Sequence, residues 1–213
     1  VQKKILGTFF HEHMVHYSLS SAMSLVSTHG LEIIDYRRNN IQNGSIIFIC
    51  RKSSSSSKIK SSTDKLKSLM LLEDQAGLSD TNWGTEFYQD ILLTRHQIVE
   101  LVNSLPSGTK FAGYGAARSG PTLAIQYQFE QYLSCLFDDH HSKVGLFAPL
   151  KGLKVLPTSQ LSASDYPFIF ILAYIHYKPI IRNSINYLSE GGSIIIVWPS
   201  FQLITKENYK EYV

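Results

Sequence analysis

Three histidines and a glutamate crowd one short stretch near the start of the chain, TFFHEHMVHYS, as His11, Glu12, His13 and His16. Imidazole titrates near neutrality and serves both as a metal ligand and as a proton carrier, so two chemistries are open. A zinc-protease helix places its second histidine four residues after the first; four after His11 stands Val15. His13 and His16 would share one side of a helix, but Ser18 reads as the cap of a helix that starts only after them. No cysteine or carboxylate cluster nearby completes four ligands, so no metal is expected. Acid/base work fits better, because a neighbouring carboxylate fixes the tautomer of a histidine and stabilises its imidazolium. On spacing alone, a surface loop that happens to be rich in histidine stays open.

The second stretch with chemical potential is GYGAARSGPT, residues 113–122. Gly113 and Gly115 allow a tight turn and a close backbone approach. The helix N-terminus behind them presents N–H groups and a positive dipole end, which suit a phosphate. Asp138 follows at the end of the next expected strand, where such folds place a ribose-binding acid. The pattern departs from the full dinucleotide fingerprint. Its third glycine would fall at Arg118, and the next one comes at Gly120. An arginine at that point works against the close helix–strand packing of a nicotinamide-dinucleotide site, yet it can itself contact a diphosphate. Glycines serving the turn alone, a phosphate-proximal loop and true dinucleotide binding are the readings these residues allow.

These groups need a scaffold. The chain of 213 residues is 44% hydrophobic and 17% charged, which is ordinary for a globular protein and too apolar for disorder. A net charge of +3 with scattered lysines and arginines gives no argument for nucleic acid. The longest apolar run, FIFILAYI, falls far short of the ~20 residues of a membrane helix. Cys50 and Cys135 lie in apolar surroundings and read as buried, reduced thiols of a cytoplasmic protein. A chain that opens on Val1 reads as a piece of something longer.

The run SSSSSKIKSSTDK, residues 53–65, is too polar to offset its ordering entropy and reads as a flexible linker. Before it, SLSSAMSLVSTHG carries Leu19, Met23 and Val26 at helical spacing, with Ser18 as N-cap and Gly30 as C-cap. LEIIDY and SIIFICR follow as two strands around the turn NNIQNG. One helix and a hairpin cannot make an independent core, so residues 1–52 read as the end of a larger domain. After the linker, residues 66–213 alternate helix and strand. TEFYQDILLTRHQIVELVNSL, PTLAIQYQFEQY, SQLSAS and KPIIRNSINYLSEGG are expected helices. KFAGYG, LSCLFDD, GLKVLP, PFIFILAY and SIIIVWP are expected strands. Continuous Ile, Val and Phe runs between amphipathic helices imply an α/β fold, a doubly wound, Rossmann-like parallel sheet covered on both faces.

Taken in order, FHEHMVHYS, GLEIIDY with NGSIIFICRK, GYGAARSG, DDHHSKVG, ILAYIHYKPII and GGSIIIVWP resemble the sugar C-methyltransferases. Those enzymes add a branch methyl from S-adenosylmethionine to a nucleotide-linked 4-keto-6-deoxysugar. The resemblance covers almost the whole chain outside the serine run. It implies a three-part protein: a four-cysteine zinc module, a class I methyltransferase domain holding S-adenosylmethionine, and a Rossmann-like C-terminal domain. Residues 1–52 then correspond to the closing helix and antiparallel hairpin of the methyltransferase domain. The zinc module and the rest of that domain would be supplied in cis or in trans, and the cofactor would be bound mainly by that portion.

The resemblance also implies roles. His13 takes the place of the base that removes the C3 proton beside the 4-keto group, with Glu12 and His11 in support. Gly113, Tyr114, Gly115, Arg118, Ser119, Gly120, Asp138 and Lys143 fall on motifs that hold the nucleotide sugar. Phe10 replaces a tyrosine of the family pattern and His16 another aromatic. Arg118 and Ser119 stand where the pattern has alanine and lysine, which moves the positive charge one position along. A reading from a different class is a non-catalytic module that binds a nucleotide sugar or a protein and lacks the cofactor-binding half.

Overall fold

The computed structural model describes residues 13–41, 44–54, 62–78 and 82–213. They divide into two compact units, one of residues 15–86 and one of 87–213 together with His13 and Met14. His11 and Glu12 lie outside the described residues.

In the smaller unit, α1 (Leu19–Ser27) leads to the antiparallel pair β1 (Leu31–Asn39) and β2 (Ser45–Lys52), followed by α2 (Thr63–Gln75). Ser18 caps α1 as its residue type predicts. Its hydroxyl accepts the Ser21 N–H at 3.1 Å while the Ser21 hydroxyl accepts the Ser18 N–H at 2.9 Å. The remaining N–H groups of the first turn are taken from outside the helix. The Glu73 carboxylate of α2 accepts the N–H of Leu19 at 2.7 Å and of Ser20 at 3.4 Å. The helix closes at Thr28, before the expected Gly30, which serves the turn into β1 at a φ of +67°.

A bulge at Ile34 breaks the β1 register, so Ile33 and Ile34 are both buried although they are sequence neighbours. Helix α2 was not expected. Its head lies in the residues read as linker, of which 55–61 are outside the described residues. Leu66 and Leu69, one turn apart, close the small core against Leu19, Ala22 and Ile33. Lys65 then anchors the helix start, donating to the Asp35 carboxylate at 2.6 Å and to the Tyr36 carbonyl. Both helices pack on β1. The outer strand β2 is left with little cover, and its Cys50 is exposed rather than buried as expected.

The larger unit holds α3 (Asn82–Ser104), which begins just ahead of the boundary, then β3 (Phe111–Tyr114), α4 (Gly120–Tyr127), β4 (Leu133–Asp138) and β5 (Val155–Pro157). It continues with β6 (Phe168–Ile171), α5 (Tyr177–Asn183), α6 (Ile185–Ser189), β7 (Ser193–Ile196) and β8 (Gln202–Ile204). The six strands run in the order β5-β4-β3-β6-β7-β8. All neighbours pair in parallel except β8, which returns antiparallel to β7. This is the expected α/β, doubly wound, Rossmann-like sheet. The order climbs outward from β3 to β5, then restarts on the other side at β6. The reversal therefore falls between β3 and β6.

Alternation along the strands sorts side chains to two faces. Phe111, Phe170 and Ile195 pack with Ile91 and Ile98 of α3 and Leu123 of α4. Ala112, Ile169 and Ile194 pack on the opposite side with Ile180 and Ile181 of α5 and Leu188 of α6. A register shift in β4 lets Leu133 and Leu136 share the first face while Cys135 and Phe137 turn to the second. Phe129 and Phe170 stack at 4.3 Å and 5°, sealing the first core.

Three expectations change in detail. The helix expected over KPIIRNSINYLSEGG is two, broken at Ser184 after Asn183, both weak helix formers. SQLSAS yields a single tight turn at Thr158–Gln160. Strand β8 was not expected, since three residues carry no readable period. Among the described residues no helix is long and apolar enough to cross a membrane.

Candidate functional site

Ligands of doubly wound sheets lie beyond the carboxyl ends of the strands where the order reverses. Here that point is the end of β3 beside the end of β6, and β3 runs straight into the glycine stretch. Gly115 turns the chain at a φ of +91°, a region open to glycine. A Cβ added to it would stand 2.5 Å from the Ala173 Cβ just past β6. On Gly113 it would stand 2.3 Å from Leu172 Cδ1 and 2.6 Å from Leu136 Cδ2. On Gly120, the first residue of α4, it would meet Leu172 Cδ2 at 3.0 Å. All three glycines thus let the turn and the helix settle onto Leu172 and Ala173. The close helix–strand approach that a third glycine serves is provided by Gly120, two places after Arg118. Arg118 is exposed at the rim of the turn, where a bulky side chain obstructs nothing. Ser119, the N-cap residue ahead of α4, makes no side-chain capping bond.

The turn is fastened to the next strand by Asp138. One carboxylate oxygen accepts the Ala116 N–H at 2.8 Å and the Lys143 ammonium at 3.0 Å. The other accepts the His140 N–H at 2.8 Å. Asp138 is only 8% exposed. Burial alone would raise its pKa, but the His140 N–H, the Lys143 ammonium and the Ala116 N–H outweigh it and hold the carboxyl below its ordinary value. A backbone bond from Gly115 N–H to the Phe137 carbonyl at 2.7 Å completes the link. The acid at the ribose position therefore knits two loops together, and Lys143 is its partner in that task.

A second acid was not singled out in the sequence. Asp139 receives the Tyr114 hydroxyl at 3.0 Å on one oxygen and the Thr158 hydroxyl at 2.5 Å on the other. Burial, with the Asp139 charge beside it, pushes the Tyr114 hydroxyl well above the usual phenol range, so it stays a donor. Next to Asp139, the rings of His140 and His141 stack at 5.0 Å and 15°. The signal was in plain view as the doubled acid and doubled histidine of DDHH at a strand end.

The structure thus brings Gly113, Tyr114, Gly115, Gly120, Asp138 and Lys143 together, with Arg118 and Ser119 on the rim. His13 is half-buried and His16 exposed. Among the described residues no three His, Cys, Asp or Glu side chains converge to hold a metal ion.

The larger unit is a Rossmann-like α/β domain with a glycine turn at the point where the strand order reverses. Residues 40–199 match the C-methyltransferase C-terminal domain model, and the chain belongs to that family. It is similar to the C-methyltransferase NovU of Streptomyces niveus, with 26% identity over 204 residues. That match covers 94% of this chain and 48% of NovU, so the chain spans about half the length of the curated relative it matches.

Proposed function

We propose that this chain is the C-terminal part of an S-adenosylmethionine-dependent C-methyltransferase acting on a keto-deoxysugar carried by a nucleoside diphosphate. The observation that carries the reading is the pre-shaped glycine turn at the strand reversal, with Arg118 at its rim, in a member of a C-methyltransferase family. The diphosphate lies against the turn from Gly113 to Gly120, drawn by Arg118 and the first turn of α4. Asp138 and Lys143 keep that turn in shape. A family of C-methyltransferases calls for a methyl acceptor and not for a hydride-carrying dinucleotide.

One proton transfer is asked of this chain. His13 takes the hydrogen from the carbon beside the ketone, the C–H electron pair moves into the carbonyl as an enolate, and the imidazole holds the proton. Glu12 orients the ring and His11 supports it. A base with pKa ~6.5 is weak against such a carbon acid, and positioning it contributes on the order of 10²- to 10⁴-fold. S-adenosylmethionine, when bound, supplies an electrophilic methyl. The described residues do not fit as its cradle. The described residues of 15–86 offer an antiparallel hairpin without a strand-to-helix glycine turn, and the turn of the larger unit has its acid position closed by Asp138. The cofactor is assigned to the remaining part of the protein, in cis or in trans.

The test uses the complete protein and a nucleoside-diphosphate keto-deoxysugar in heavy water, without methyl donor. Exchange of the hydrogen beside the ketone, followed by proton NMR, should be catalysed by the native protein and fall at least 100-fold in His13→Asn with sugar-nucleotide affinity retained. Exchange at the native rate in His13→Asn removes the histidine from its role. A native protein that binds the sugar nucleotide but neither exchanges that hydrogen nor transfers methyl is a binding module and not an enzyme.

A further inference from the structure

Resting on the nucleotide-sugar reading above, we infer that the loop Asp139–Ser142 is the nucleoside subsite of this domain. The stacked imidazoles of His140 and His141 take the nucleobase, and the Asp139 carboxylate takes the ribose hydroxyls. The loop leaves β4, the strand next to β3, and neighbouring strands lie ~4.8 Å apart. A diphosphate seated on the β3 turn therefore carries its nucleoside across the end of β4.

The acid expected to meet the ribose, Asp138, is buried beneath the two loops it joins, out of reach of a ligand on the surface. The following residue, Asp139, is exposed and already aimed. Tyr114, at the end of β3, holds one of its oxygens and Thr158, just after β5, holds the other. Each carboxylate oxygen accepts more than one hydrogen bond, so both keep acceptor capacity toward ribose hydroxyls. Held from two strands, the carboxylate needs no ordering to receive them.

The histidine pair stands beside that carboxylate. Both rings are exposed, yet they lie nearly parallel. The Nδ1 atom of His140 lies 3.3 Å from the Ser142 backbone nitrogen and 2.8 Å from the Ser142 hydroxyl. Neither imidazole contributes to a core cluster, and only the His140 backbone supports Asp138. A solvent-facing aromatic stack is a platform on which a third planar ring continues the pile. A nucleobase is such a ring, and base stacking on aromatic side chains tolerates any base because every base has a π-face.

Titration calorimetry on the complete protein tests this with thymidine diphosphate, uridine diphosphate and inorganic pyrophosphate as probes. The native protein should bind the nucleoside diphosphates more tightly than pyrophosphate. His140→Ala/His141→Ala should lose about tenfold of that advantage while pyrophosphate affinity holds, and His140→Phe/His141→Phe should restore it. Asp139→Asn should weaken uridine diphosphate, which carries both ribose hydroxyls, more than pyrophosphate. The imidazole carbon-bound proton signals of His140 and His141 should shift on adding thymidine diphosphate and stay in place with pyrophosphate. An undiminished nucleoside advantage in the double alanine variant, or an equal loss of pyrophosphate, overturns the subsite and leaves the nucleotide-sugar reading intact. A native protein that binds none of the three probes overturns that reading and this inference together.

Discussion

The carboxylate of Asp138 accepts the backbone N–H of Ala116 at 2.8 Å, joining the exits of two adjacent strands. The acid that a dinucleotide fold reserves for its ligand is thereby turned inward. Whatever the glycine turn holds, its backbone is in place beforehand.

Removing that acid should loosen the site before it touches the fold. Asp138→Ala leaves the Ala116 and His140 N–H groups without their acceptor and should cost about 2–3 kcal/mol in denaturant unfolding. Asp138→Asn should cost less, since an amide oxygen can still accept. The pH dependence has a definite sign. The folded carboxyl sits below its ordinary value, so its stabilisation is present above the unfolded pKa of ~3.9 and is lost as pH falls through the lower folded value. Stability of the native protein should decline below about pH 4, and Asp138→Asn should show a shallower decline. Parallel acid curves would show that Asp138 contributes nothing to them.

Two glycines at similar φ separate backbone strain from crowding. Gly108, at +85°, has nothing within 4 Å of an added Cβ, whereas the Cβ of Gly115→Ala would press on Ala173 at 2.5 Å. Gly108→Ala should cost about 1 kcal/mol and Gly115→Ala about 3 kcal/mol by thermal or denaturant unfolding. Equal costs would mean that the turn moves freely off the end of β6.

Arg118 is exposed at the rim of the turn, in reach of an anion seated there. Arg118→Ala should weaken pyrophosphate binding by about tenfold and flatten its dependence on salt, with Arg118→Lys in between. Calorimetry at two ionic strengths measures both effects. Native affinity in Arg118→Ala would place the diphosphate elsewhere.

In the smaller unit, Glu73 should matter more than an exposed glutamate usually does. It takes the first N–H groups of α1 from a distance of 54 residues along the chain. Glu73→Ala should cost about 1–2 kcal/mol and speed hydrogen exchange at Leu19 and Ser20 selectively. Uniform exchange changes along α1 would point to a packing effect instead of a cap.

Much of this architecture is readable from residue type and spacing. The runs Phe168–Ile171 and Ser193–Ile196 announce buried parallel strands, and Ser18 announces the start of α1. Three things escape such reading for physical reasons. Helix α2 holds only two core leucines, Leu66 and Leu69, at the edge of a serine-rich stretch, so its composition speaks for a linker while its packing decides for a helix. The close approach provided by Gly120 is displaced from the expected position, and only the contact with Leu172 reveals it. Asp138 and Asp139 look interchangeable in sequence. Their division of labour is set by which backbone N–H and which hydroxyl reach them, and that is a property of three strands at once.

The two outermost strands of the six-stranded sheet, β5 and β8, are three residues each, and β5 ends on Pro157. Such margins offer almost no free main-chain donors or acceptors to a passing polypeptide. Concentrated preparations of the protein should accordingly resist growth of intermolecular β-structure from this sheet, even with a core so rich in isoleucine and phenylalanine.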